Sequence, residues 1–460
     1  MPIAASHPKS SAVFFAFSIF LLLMGECFST AAAFGDEKLN ATQLVQMAKS
    51  NSPQLQQSIT VTFDEKSLKE GNAWVGHGPD FFFATHATSE PLLYIDDVPG
   101  PKMQKLPGDL WFAAARIEAV GKLHSFYYML DGKNFGGTLD LPAFGPDSYQ
   151  QPGVPSGTLS DKIIHTSKIY DGMKSEYWIY VPAQYDAKTP AALMVFQDGG
   201  WYVDPKGDRQ TLNVIDNLIA QKKIPVMICV FIDPGDISDS PGTPTYSFVK
   251  SYGEKWQRDL KDSMRSTLYD TVSDRYPRFL RDEVLADVAA KYNIRKDGYS
   301  RAITGLSSGG ICSFNVAWQQ PDQFSRVISW IGSFGSIQWR EDPANLDGGQ
   351  DYPDKVLRGP KRNIRVWLQD GSGDLEIRYG SWPLLNLRMA NALKMAKYDF
   401  HFSFAHGSHN RAHGAAEFPA EMIWLWRDYD PSKTEQTYEM EPAEAAKPLF
   451  RVSVFNRSVD

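Results

Sequence analysis

Cysteine is scarce: three occur in 460 residues, and one of them, Cys27, lies in an apolar leader. The other two, Cys229 and Cys312, sit in apolar stretches and read as buried free thiols, so no disulfide framework is expected to hold the fold. Blocks of Lys and Arg are also missing, and the formal net charge is only -7. Nucleic acid and anionic membranes therefore have no electrostatic footprint here and are not expected as partners. Low-complexity tracts and internal repeats are absent, which excludes disordered and solenoid classes.

What remains is an ordinary globular composition, 43% hydrophobic and 22% charged, with length enough for two or three domains. The 12 Trp and 20 Tyr suit a surface that contacts carbohydrate or aryl groups, and suit a large core equally well. At the N-terminus Lys9 precedes the apolar run AVFFAFSIFLLLMG (12–25), followed by small residues at Ala31 and Ala33. This pattern predicts a secretory signal over 1–33 and a secreted or periplasmic product with no membrane segment after cleavage. An uncleaved anchor is the alternative. Glu26 stands before Cys27, where lipid attachment would call for a small residue.

Beyond the leader, NATQLVQMAKS (40–50) predicts a short helix capped by Asn40 and Gln43. SITVTF (58–63) alternates apolar and polar residues and reads as a strand. DFFFATHA, PLLYIDD, DLWFAAARI and LHSFYYML continue in strands separated by Gly/Pro turns, so a small antiparallel sandwich is expected over 36–141. The Pro/Gly-rich stretch PAFGPDSYQQPGVPSG marks a stiff linker at 142–158. From 159 to 430 strand-like runs (AALMVFQDGG, IPVMICVFID, RAITGLSS, RVISWIGSF, NIRVWLQDG, YDFHFSFAHG) alternate with helical patterns. That alternation predicts a mostly parallel sheet covered by helices on both faces. Residues 431–460 are polar and read as a loose tail, with FRVSVF as a terminal strand candidate.

Within this region AITGLSSGG frames Ser307 between Gly305 and Gly309 at a strand-to-helix turn. Glycines there avoid a clash at a tight elbow, and the hydroxyl is left at a helix N-terminus that favours negative charge. A serine needs a base and the base an orienting carboxylate. The loops after later strands offer Asp370 and Asp374, then His406, His409 and His413, in the acid-then-histidine order. The three histidines also have zinc-like spacing, but they lie in a loop with no Cys nearby, so no metal and no cofactor are expected. His401, inside its strand, reads as a packed histidine. Oxyanion donors are expected from the Ser308 N–H and from the paired glycines of FQDGGWYVD.

Residues 160–427 resemble the esterase family that includes enterochelin (ferric enterobactin) esterases, feruloyl esterases and mycolyltransferases. The resemblance rests on FQDGGWY, FLRDEVLADVAAKY, AITGLSSGG with PDQFSRVISWIGSF, DGSGD, and GSHN followed by EMIWLWRDY. It implies an α/β-hydrolase fold preceded by an Ig-like β-sandwich, with Ser307 as nucleophile, Asp374 as acid and His409 as base. It also implies Gly200 as second oxyanion donor and Trp201 as a lining residue. Asp370 becomes a loop-structuring carboxylate, and His413 a residue behind the site or a substrate contact. Arg265, in an Arg-x-x-x-Tyr-Asp stretch within the polar insertion 233–270, is expected either to grip substrate or to form a buried ion pair. The expected activity is a secreted serine esterase acting on a small-molecule or glycan ester. The alternatives are an acyltransferase of the same fold, similar to mycolyltransferases, and a non-catalytic glycan-binding protein.

Overall fold

The computed structural model describes residues 38–203, 210–236, 238–240, 243–244, 265–337 and 348–452. The leader at 1–33, most of the insertion at 233–270 and the end of FRVSVF lie outside the described residues.

The first part begins with helix Ala41–Lys49, closed by a reciprocal pair in which Gln43 N–H donates to Asn40 Oδ1 and Asn40 N–H to Gln43 Oε1. SITVTF is not a strand: it is the end of helix Leu55–Thr62. Leu55, Ile59 and Thr62 are buried one helical turn apart, and Leu55 and Ile59 pack with Leu44, Leu68 and Phe82. That face outweighs the β preference of Ile59 and Val61. A third helix, Glu65–Glu70, leads into eight strands: β1 (Ala73–His77), β2 (Asp80–His86), β3 (Leu92–Ile95), β4 (Val98–Pro99), β5 (Gln104–Leu106), β6 (Leu110–Arg116), β7 (Lys122–Leu130) and β8 (Lys133–Ala143). They form two antiparallel four-stranded sheets, β1-β2-β6-β5 and β4-β3-β7-β8. Phe81, Phe83 and Trp111 from the first share a core with Leu93, Phe126 and Tyr128 from the second, while Phe82 and Phe112 turn to the helices behind.

β8 runs two residues into the expected linker, and the rest of that stretch is fastened rather than free. Asn217 donates to the carbonyls of Asp147 and Tyr149 at 2.9 and 2.6 Å, and Ser148 is buried. Polar backbone turned toward a neighbouring helix is satisfied there in place of water.

The second part is built on nine strands among the described residues: β9 (Thr158–Leu159), β10 (Ile163–Thr166), β11 (Lys174–Val181), β12 (Ala192–Gln197), β13 (Met227–Ile232), β14 (Arg301–Leu306), β15 (Arg326–Trp330), β16 (Arg365–Gly373) and β17 (Asp399–Ser408). The order is β10-β11-β13-β12-β14-β15-β16-β17, with β9 on β11; from β13 to β17 all neighbours are parallel. Alternate residues feed two cores. Leu193, Val195, Val230 and Ile303 face helices Leu285–Lys291, Ser308–Gln319 and Trp382–Met395, whereas Met194, Phe196, Phe231 and Ala302 face helices Thr211–Ala220 and Ala412–Leu425. Every residue of β12, β13, β14 and β15 is buried, which is why these runs are mostly apolar and β13 (MICVFI) wholly so. Cys229 and Cys312 are free and buried, one in each core.

Strand order reverses between β12 and β14, so the chain leaves these neighbouring strands toward opposite sides and opens a crevice at their carboxyl ends. The tail is not loose as far as it is described. Tyr438 is buried against the guanidinium groups of Arg326 and Arg365, Lys394 pairs with Glu444, and Phe450 packs on Phe400 and Phe402. Aromatic faces over buried cations give a polar-looking segment its anchorage. No helix among the described residues is long and apolar enough to cross a membrane.

Candidate active site

β14 delivers Ser307 into the crevice with φ 59° and ψ -119°, a left-handed conformation that a side chain rarely adopts. Backbone contacts hold it there: Ser307 N–H donates to Trp330 O at 2.9 Å, and Ser307 O accepts from Gly310 and Ser333. The flanking glycines are required by space. A Cβ on Gly305 would stand 2.4 Å from the Gly309 backbone, and one on Gly309 would meet Gln197 and Asp198 at 3.1 Å. The turn thus places the hydroxyl at the start of helix Ser308–Gln319, where the Ser308 N–H has no partner within the helix.

Two further loops meet it. Ser307 Oγ lies 2.9 Å from His409 Nε2, and His409 Nδ1 lies 2.5 Å from Asp374 Oδ1. Asp374 Oδ1 also accepts the Leu375 N–H, and Trp382 stands edge-on to the imidazole. The Asp374 side chain is fully buried and that of His409 is 21% exposed, so the run passes from the protein interior to the crevice. Burial pushes the Asp374 carboxyl up, but hydrogen bonds from His409 and Asp370 outweigh it and hold the group below the ordinary carboxylate range.

The other histidines diverge. His406 meets Ser372 Oγ at 3.1 Å, and His401 stacks on Trp367. His413 is 2% exposed and bonded to Gln369, Ser403 and Glu417 beneath the sheet end, so it is a packed polar residue and not a substrate contact. Among the described residues no group of three or more His, Cys, Asp or Glu is arranged to hold a metal.

Asp370 sits behind Asp374, fully buried, with Oδ1 accepting the Gly371 N–H at 2.7 Å. The Oδ2 atoms of Asp370 and Asp374 are both buried, and neither receives a donor from the surrounding protein. A proton on Asp370 gives each a partner. Burial, then the adjacent Asp374, push the Asp370 carboxyl well above its usual range. A group raised in the fold stabilises it below the unfolded carboxyl pKa, and that contribution is lost as pH climbs toward the folded value. Asp370→Asn imitates the protonated form and does not titrate. Its unfolding free energy relative to the native chain should therefore rise as pH climbs above the unfolded carboxyl range, by up to ~1.4 kcal/mol per pH unit, and appear as a widening Tm difference. A difference independent of pH would show that Asp370 is ionised in the fold.

The loop after β12 departs from expectation. Gly200 N–H, expected to receive an oxyanion, donates to Asp233 Oδ1 at 2.9 Å. Carboxylates outcompete carbonyls for a nearby amide, so this donor is engaged. Arg265 is also committed: its guanidinium grips Asp198 at 2.7 and 2.8 Å and reaches Leu306 O at 3.2 Å. Asp198 itself holds φ 54°. Tyr269 Oη accepts the Asp198 N–H, and Asp270 accepts from Ser308 Oγ at 3.0 Å. Arg265, Tyr269 and Asp270 therefore brace both the β12 loop and the elbow. Asp198 and Asp270 carried no role in the sequence reading, although both lie inside motifs that it singled out.

A cleft of about 960 Å³ opens over Ser307 and His409. The second part contributes Trp201, Arg265, Leu306, Asn410 and Arg411 to its lining, and the first part contributes Trp74, Val75, Gly76, Asp140, Pro142 and Phe144. Trp201 is 56% exposed within it.

A mostly parallel sheet covered on both faces, with a serine at a strained strand-to-helix turn, has the α/β-hydrolase architecture. The model of the family described as "Putative esterase" matches residues 172–425. The match spans more than half of the chain, and the chain belongs to that family. Among solved structures it is similar to the enterobactin esterase of Shigella flexneri, at 16% identity over 78% of this chain and 97% of that one, with a TM-score of 0.47. It is similar also to the ferric enterobactin esterase of Salmonella typhimurium, at 14% identity over 77% of this chain and 96% of that one, with a TM-score of 0.47. A ferulic acid esterase of Anaeromyces mucronatus matches at 17% identity over 61% of this chain and 93% of that one, with a TM-score of 0.44.

Proposed function

We propose that this chain is a secreted serine esterase in which Ser307, His409 and Asp374 act as a catalytic triad. The reading is carried by the hydrogen-bonded run from Asp374 through His409 to Ser307, with spacings of 2.5 and 2.9 Å, at the floor of a cleft. His409 Nε2 takes the Ser307 hydroxyl proton as Oγ bonds to the ester carbonyl carbon. The carbonyl oxygen becomes an oxyanion, which the Ser308 N–H and the helix N-terminus stabilise. His409 then returns the proton to the departing alcohol as the ester C–O bond breaks. Water, deprotonated by the same imidazole, releases the acid and restores Ser307. Asp374 fixes the Nδ1–H tautomer and balances the imidazolium. Gly200 serves as second oxyanion donor only by giving up Asp233.

The lining supports an ester with an aryl acyl group, as in hydroxycinnamoyl or catecholate esters, since the aromatic residues Trp74, Phe144 and Trp201 and the cation Arg411 line the cleft. Residues 1–33 act as a cleaved secretion signal in this reading, 36–141 as a front domain whose strands from Ala73 onward form an Ig-like sandwich, and 159–430 as the esterase domain. A fluorophosphonate probe should form one adduct, on the peptide containing Ser307, and hydrolysis of short p-nitrophenyl esters should stop in parallel. Labelling elsewhere, or undiminished turnover of the labelled protein, would discard the assignment.

A further inference from the structure

Asp140 belongs to β8, in the first part of the chain, yet both its carboxylate oxygens are used in the second. Ser408 N–H donates to Oδ1 at 2.9 Å and Ser408 Oγ–H donates to Oδ2 at 2.5 Å, across 268 residues of sequence. Ser408 immediately precedes His409, and its hydroxyl also accepts from Asn410 Nδ2 at 2.9 Å. Ser408 is therefore tied directly to a carboxylate of the first part, and Asn410 is linked to it through the Ser408 hydroxyl.

The packing around this contact is equally close. A Cβ on Gly407 would stand 2.8 Å from Leu123 of β7, and one on Gly373, next to Asp374, would stand 2.8 Å from Leu139 of β8. The first part of the chain thus touches both the loop that carries His409 and the loop that carries Asp374. Asp140 lines the cleft, and both of its carboxylate oxygens are turned to Ser408. A loop holding a base gains accuracy from rigid anchors outside itself.

We infer that Asp140 is a positioning residue: it fixes the loop 407–410 so that His409 stays within reach of Ser307. This rests on the esterase reading proposed above. The imidazole makes one short bond to each neighbour, and a displacement of about 1 Å in such a geometry costs on the order of 100-fold in rate. Asp140→Ala leaves Ser408 without either acceptor. Asp140→Asn keeps both bonds, because its carbonyl accepts the Ser408 N–H and its amide donates to Ser408 Oγ. Lys122 and Glu417 join the same two parts 3.3 Å apart through helix Ala412–Leu425 rather than through Ser408, which makes Lys122→Met the control for general docking.

The experiment measures p-nitrophenyl acetate kinetics, Tm and hydrogen–deuterium exchange of peptides over 400–412 in the full chain. Asp140→Ala should lower kcat by about 10–100-fold with KM within about twofold, and should speed exchange over 400–412. Asp140→Asn should restore kcat to within about threefold of the native value, and Lys122→Met should leave both readouts unchanged. Native kcat and exchange in Asp140→Ala would overturn the inference, as would an equal loss in Lys122→Met. Should the native chain prove inactive toward every ester, the esterase reading falls by itself. The exchange result then decides the role of Asp140: faster exchange upholds the tether, and unchanged exchange removes it.

Discussion

Ser307→Ala and His409→Ala are each expected to lower kcat on p-nitrophenyl esters by roughly 10⁴–10⁶-fold, and the double variant by no more than the worse single. The three groups act as one device. Without Oγ there is nothing for the imidazole to activate, and without the imidazole the hydroxyl proton has no acceptor at 2.9 Å. Losses that multiplied in the double variant would mean that the two residues serve separate steps. Asp374→Asn should cost less in stability than in rate, since the amide fits the same space but leaves the imidazole in the wrong tautomer. Native Tm values with the expected losses would separate chemistry from folding. A Ser307→Ala protein that keeps its turnover would end the serine mechanism.

Arg265→Ala should be the most destabilising single change near the cleft. Asp198 is nearly buried, with 6% of its side chain exposed, and its partner contributes two parallel charge-assisted bonds. Removing only the cation leaves a lone charge in the β12 loop, at a cost of about 3–5 kcal/mol. Tm is expected to fall by roughly 5–15 °C, with kcat falling too as the loop beside Ser307 loosens. Arg265→Lys keeps the charge without the planar fork and should recover only part of this. Asp198→Asn combined with Arg265→Met should be more stable than Arg265→Ala, because no unpaired charge remains. If Arg265→Ala instead keeps its Tm and kcat and raises KM only for anionic esters, Arg265 is a substrate contact rather than a brace.

Much of the sheet was legible because burial on both faces leaves a plain mark: VMICVFI has no polar residue to alternate with. The elbow was legible for a different reason. Gly305 reports a steric limit, the 2.4 Å approach of the Gly309 backbone, and such limits write themselves into sequence as glycine. Residue order alone did not say which of two aspartates and three histidines approach Ser307, and a family pattern had to choose. Helix Leu55–Thr62 was misread because its β-branched alternation is a local signal, while its burial depends on Leu44, Leu68 and Phe82 elsewhere in the chain. The Gly200–Asp233 bond, the seat of His413 and the Asp140–Ser408 tether join residues distant in sequence. Nothing in a local window encodes them.

The family match begins at residue 172, but six of the fourteen residues lining the cleft come from earlier in the chain, from Trp74 through Phe144. Selectivity could thus be retuned in evolution by editing two β-sheets that hold none of the proposed triad. One strand limits that freedom: β8 supplies Pro142 to the wall and Asp140 to the histidine loop, so grafting a foreign front domain would bring a new mouth and an unmoored base together.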